Sequence, residues 1–169
     1  MLLQRHVFVC INLRLDMNNE ISVRLATVAD AKNLIAFNQA MALETENKQL
    51  AEDKITNGVN AVFADEKKGF YVVAESENGE IAGGLMITFE WSDWRSAWFW
   101  WIQSVYVLPE FRGKSVYSKL YDFVKTKAAS ENVCGIRLYV EHDNINAQNV
   151  YKHHGMNESH YLMFETELN

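Results

Sequence analysis

The sequence predicts a single α/β domain built on a mixed sheet, and three observations carry that prediction. Apolar runs of strand length recur between stretches with helical spacing of apolar residues. An Asn78-Gly79 pair separates two strand-like runs, the strongest short-range signal for a hairpin and therefore for antiparallel pairing. The stretch Val105 to Val124 reads as strand, turn and helix, and Cys134 to Val140 follows as a further strand. That strand–helix–strand unit implies a right-handed crossover and a parallel pair.

Composition narrows the class. At 169 residues, with 49% apolar and 22% charged, the chain is long enough to bury a substantial core and too apolar to be disordered. A net charge of −6 argues against nucleic acid as the main partner. Cys10 and Cys134 have no CxxC or Cys/His spacing, so no disulfide framework is expected and a reducing cytoplasm is the default. No apolar run reaches the roughly 18 residues that span a bilayer, so no membrane partner is expected. Val7–Ile11 is too short for a signal-peptide core. Val7, Val9 and Ile11 alternate as an edge strand would, but a second methionine, Met17, precedes polar Asn18-Asn19-Glu20. Residues 1–16 are assigned as an N-terminal extension and 17–169 as the domain.

In chain order, Ile21–Leu25 alternates as a half-buried strand, and Thr27-Val-Ala-Asp30 has the form of a capping box opening a helix. Ala31, Leu34, Ile35, Asn38 and Ala42 continue that helix, which runs into a polar stretch holding Glu44, Glu46 and Lys48. A weaker helix is expected from Ala51 to about Asn57, stopped by Gly58. Phe70–Ala74 and Ile81–Phe89 are strands, and Gly83-Gly84 signals a bulge or a close backbone approach. Glu90–Ser96 is a polar, aromatic connector to a long strand, Trp98–Leu108. Alternation places Trp98 and Trp100 on one face of that strand and Phe99 and Trp101 on the other, as core, a subunit contact compatible with a homodimer, or an aromatic wall for an amine. Val116, Leu120, Phe123, Val124 and Ala128 line one face of the next helix. Asn144–His154 is a last helix ended by Gly155, and Met156–Leu168 is expected to add one or two closing strands.

The turn before the central helix holds Arg112, Gly113, Lys114 and Ser115, just after the only proline, Pro109. A basic turn feeding a helix N-terminus is an anion site, because the first-turn amides lack intrahelical partners and carry the positive end of the dipole. A phosphate-bearing cofactor is the expected occupant. Adjacent His153 and His154 point apart on a helix and have no third ligand, so no metal is expected.

Val105-Tyr-Val-Leu-Pro-Glu-Phe-Arg-Gly-Lys-Ser-Val-Tyr117 resembles the acetyl-CoA pyrophosphate loop of the GNAT acetyltransferases. Asn144-Ile-Asn-Ala-Gln-Asn-Val-Tyr-Lys-His-His-Gly-Met156 resembles that family's penultimate helix, and the order of elements matches over roughly residues 20 to 168. The resemblance implies a twisted, mostly antiparallel mixed sheet flanked by helices, with acetyl-CoA as cosubstrate and no metal. It further implies that the backbone of Val105, Tyr106 and Val107 pairs with the pantetheine arm. The amides of Gly113, Lys114, Ser115, Val116, Tyr117 and Ser118 would cradle the pyrophosphate, with Arg112 and Lys114 supplying charge and Asn144 holding the arm. Tyr151 stands where the family tyrosine acts as general acid, a task a phenol suits at neutral pH. Asn144 also reads as a plain helix N-cap, and Tyr151 as a structural tyrosine. Ser115 and Tyr117 depart from the pattern, since they stand where glycine and glycine or alanine are usual. Tyr117 either runs along the helix against Tyr121 or narrows the pyrophosphate pocket.

The implied activity is N-acetyl transfer to a primary amine in a ternary complex. For the general base the sequence offers Glu90 ahead of Asp93, with Glu44 and Glu46 beyond the first helix; Gln103, an amide, cannot take up a proton. Acidic Glu44, Glu46, Glu90 and Asp93 lean toward a small cationic amine as the acceptor. The alternatives are a non-catalytic CoA-binding module and an acyltransferase using a longer acyl-CoA.

Overall fold

A computed structural model of the chain describes residues 20–166 and Leu168. The assigned N-terminal extension, with Cys10 and the alternating Val7–Ile11, lies outside the described residues. Five strands form one sheet in chain order: β1 Ile21–Leu25, β2 Phe70–Ser76, β3 Ile81–Ser92, β4 Ala97–Val107 and β5 Val133–Arg137. β1 to β4 pair antiparallel and β4 with β5 parallel, so the mixed, mostly antiparallel sheet is as expected. Helices α1 Ala31–Glu46 and α2 Glu52–Ala64 cover one face, where Leu34, Phe37, Val59 and Val62 pack on Tyr71, Val73, Ile81 and Tyr106. Helix α3, Val116–Ala129, covers the other, with Val116, Leu120 and Val124 against Val72, Leu85, Ile87, Trp100 and Ile102. Helix α4, Ile145–His153, follows β5.

The β1–α1 corner is closed by Asp30. Its carboxylate accepts Arg24 through two nitrogens at 2.8 and 2.9 Å and the Thr27 amide at 2.7 Å, the reciprocal half of a capping box. Those bonds, Arg24's above all, hold the carboxyl below its usual range against the opposing effect of burial. Arg24 also donates to Glu75 on β2 at 2.6 Å.

Three expectations change. Helix α2 does not stop at Gly58 but runs through it to Ala64, because burial of Val59 and Val62 outweighs the roughly 1 kcal/mol that mid-helix glycine costs. Strand β3 extends to Ser92, so Glu90 belongs to a strand rather than a connector. Residues 157–166 form no strand; Tyr161, Leu162, Met163 and Phe164 are exposed and run consecutively, without a partner edge to select one face. No helix among the described residues is long and apolar enough to cross a membrane.

Candidate active site

The site grows out of an irregularity in β4. Gly83 and Gly84 pair with Val107 and Tyr106, but Met86 pairs with Gln103, so Ser104 and Val105 together oppose Leu85. Ser104 takes φ 51°, and this bulge lets Gln103 and Tyr106 share a face despite their odd spacing. A Cβ on Gly83 would lie 2.7 Å from the Tyr106 carbonyl oxygen, so only glycine allows β4 this close. On its other side β4 pairs with β5 only from Trp98↔Val133 to Trp101↔Arg137. Beyond that last rung the β5-facing edge of β4, including Val105–Val107, has no strand partner among the described residues.

That open edge leads into the turn before α3. Gly113 and Ser115 both adopt left-handed backbone, at φ 74° and 59°, and alternate with extended Arg112 and with Lys114. Lys119 is the first α3 residue whose amide finds an acceptor, Ser115 O at 3.1 Å, so the amides of Val116, Tyr117 and Ser118 stand ahead of the first helical bond. The result is a concave row of N–H groups at the positive end of a helix. Gly113 has open space where a side chain would go.

Tyr117 runs along the helix against Tyr121, the first of the two sequence alternatives. Its ring stacks along α3 on Tyr121 at 6.1 Å and also turns toward α4, meeting Tyr151 and His154 at 5.6 Å each. Its hydroxyl is buried with no hydrogen-bond partner among the described residues, and burial raises its pKa far above the ordinary phenol value. Burial likewise raises that of Tyr151. Ser118 Oγ and His154 Nε2 lie 3.0 Å apart, fastening α3 to α4.

The other side chains fall into two groups. Arg112 turns away from the amide row, donating to Val107 O at 2.9 Å and Glu44 at 2.7 Å, and Tyr106 donates to the same carboxylate at 2.6 Å. On the face away from α3, Glu90 accepts Trp101 Nε1 at 2.6 Å and Arg137 Nη1 at 2.8 and 2.9 Å. Beside them Gln103 donates to Thr88 at 2.7 Å. Lys114 lies over the Phe111 ring, Asn144 caps α4 through Ala147 N at 3.1 Å, and Asp93 accepts the Trp94 amide in the outer β3–β4 turn. Glu46 ends α1 and is exposed. The structure thus gathers Glu44, Tyr106 and Arg112, gathers Glu90 at the β4–β5 rung, and leaves Asp93 and Glu46 apart. Trp101 and Arg137 complete the Glu90 group, and His154 joins Ser118 and Tyr117. Only the lone charge in the β5 pattern hinted at Arg137, and nothing in the sequence joined it to Glu90.

A parallel pair that ends at Trp101↔Arg137, an unpaired strand edge beyond it and an amide cradle at a helix start follow one another along the chain. The sequence model of the acetyltransferase (GNAT) family matches residues 34–156. The chain belongs to the GNAT acetyltransferase family. A structure described as a possible acetyltransferase from Clostridium difficile 630 is 41% identical, with TM-score 0.82, covering 88% of this chain and 98% of that one. Glucosamine-6-phosphate N-acetyltransferase from Arabidopsis thaliana shares the fold at 18% identity and TM-score 0.68, over 87% of this chain and 98% of its own. AAC(6')-Iy, in complex with the bisubstrate analog CoA-S-monomethyl-acetylneamine, does so at 14% and 0.74, over 89% and 99%. Acetyl-CoA is the cosubstrate typical of GNAT acetyltransferases, and three features of this chain fit it on their own evidence. The amide cradle suits a pyrophosphate, the open β4 edge suits an amide-bearing arm, and the orphaned Tyr117 hydroxyl suits a polar ligand. Among the described residues no cluster of three metal-ligating side chains occurs.

Proposed function

We propose that this GNAT acetyltransferase moves an acetyl group to the primary amine of a small molecule by direct attack in a ternary complex. The observation that carries the reading is the parting of β4 from β5 just beyond the Trp101–Arg137 rung, directly ahead of the α3 turn. Acetyl-CoA, when bound, supplies an activated thioester as acyl donor. The chain's own residues do the rest. Val105–Val107 offer backbone groups to the pantetheine arm, and the amides of Gly113 and Ser115–Ser118 face the pyrophosphate, while that of Lys114 donates within the turn to Phe111 O. Asn144, already engaged as the α4 cap, would hold the arm through the rest of its amide.

Glu90 accepts the proton of the attacking amine through water. Its carboxylate is fixed by Trp101 and Arg137, and its three contacts leave a lone pair free. Tyr151 donates its phenolic proton to the leaving sulfur; its raised pKa keeps that proton in place at neutral pH. A reducing cytoplasm suits the exposed free thiol of Cys134.

Transfer of isotope-labelled acetyl to a panel of small amines tests the reading. The wild type should label at least one amine above hydrolysis. Tyr151→Phe should retain acetyl-CoA affinity while lowering turnover by roughly 10²-fold or more. Binding of acetyl-CoA without transfer to any amine would instead identify a non-catalytic CoA-binding module.

A further inference from the structure

We infer that the acceptor is a zwitterion, a primary amine with a carboxylate on the neighbouring carbon as in a free α-amino acid, received by the Glu90–Arg137 pair. The inference rests on the amine-acetylation reading and adds the chemical class of its acceptor.

Glu90 and Arg137 come from the strands on either side of β4 and meet over it at the last β4–β5 rung, on the face away from α3. The pair is unusually braced. Trp101 holds one Glu90 oxygen, and the Arg137 guanidinium lies 3.5 Å from the centroid of the Phe99 ring. That ring in turn needs Gly135, where a Cβ would come within 2.6 Å of it. Yet the two side chains stay 35% and 41% exposed, and exposed pairs add little to stability. An indole, an aromatic face and a glycine thus fix an ion pair that the fold hardly needs, as recognition requires.

The unused valences define the ligand. Arg137 spends Nη1 on Glu90, while its Nε and Nη2 have no partner among the described residues. That free edge matches the two oxygens of a carboxylate. An amine one carbon away then falls beside Glu90, so adjacent opposite charges on the ligand meet adjacent opposite charges on the protein. Arg95, 5.1 Å from the same ring, adds a second cation. Of the acidic residues that pointed toward a small cationic amine, Glu44 is neutralised by Arg112, Asp93 accepts an amide in the outer turn, and Glu46 ends α1 apart from the pair. A diamine would leave the guanidinium edge without a partner.

The test titrates the common amino acids, and their decarboxylated amines, into CoA-saturated protein by calorimetry, followed by labelled transfer. At least one amino acid should bind roughly tenfold or more tighter than its decarboxylated counterpart. Arg137→Lys, which lacks the planar fork, and Arg137→Met should shrink that ratio at least severalfold, with acetyl-CoA affinity reporting an intact fold. Amino-acid binding without transfer would sustain the zwitterion site and overturn the acetylation reading. Transfer to decarboxylated amines at equal or better efficiency would overturn the zwitterion inference and leave the acetylation reading standing. Failure of every amino acid to bind would overturn the inference as well.

Discussion

Arg112 Nη2 lies 2.7 Å from Glu44 Oε2, so the turn ahead of α3 is tied to the end of α1. Tyr106 of β4 donates to the same carboxylate, and these two bonds, the tyrosine's first, hold the Glu44 carboxyl below its usual range. With both charged partners about half exposed, global stability should fall by no more than about 1 kcal/mol in Glu44→Gln. The turn, however, loses its tether, and acetyl-CoA binding should weaken roughly three- to tenfold. Calorimetric titration measures this; unchanged affinity would show that the turn holds its own shape.

Ser115 stands in left-handed backbone at φ 59°, where an L side chain is strained by about 1 kcal/mol or more. Glycine removes the strain but adds freedom to the unfolded chain, so Ser115→Gly should gain only about 0.5 kcal/mol. Its acetyl-CoA affinity should change less than about threefold, because the amides rather than the hydroxyl form the cradle. A tenfold loss would make the Ser115 hydroxyl a principal contact. Thermal melts and calorimetry on the same variant read both quantities.

Asp30 is almost fully buried and paired to Arg24, and its folded pKa is lowered. Its stabilisation is therefore complete above the unfolded carboxyl value of about 4, and disappears as pH falls through the lower folded value. Asp30→Asn should cost about 1–3 kcal/mol at pH 7, discounted for the partial exposure of Arg24. The gap from wild type should narrow below about pH 4. Denaturation midpoints at neutral and acid pH decide this, and a gap independent of pH would place the stabilisation elsewhere.

What was legible in the sequence was local. Asn78-Gly79, the Thr27–Asp30 box, the turn from Pro109 to Ser115 and the Asn144 cap each act within a few residues, and each produced the expected element. What was not legible depended on partners distant in sequence. Gly58 reads as a stop until Val59 and Val62 find the sheet. The alternation after Met156 reads as strand, yet no edge receives it. Glu90 and Arg137 are 47 residues apart, and only the register of β4 between its two neighbours brings them together. Tyr117 sits on a helix whose pattern is plain, while its buried hydroxyl is decided by α4.

Backbone amide exchange, followed while acetyl-CoA is titrated in, tests the proposed acetyl-CoA site most directly. Slowing should be saturable and confined to two stretches, Val105–Val107 on the open β4 edge and Gly113–Ser118 in the turn and first turn of α3. Saturable binding with no protection in either stretch would contradict it.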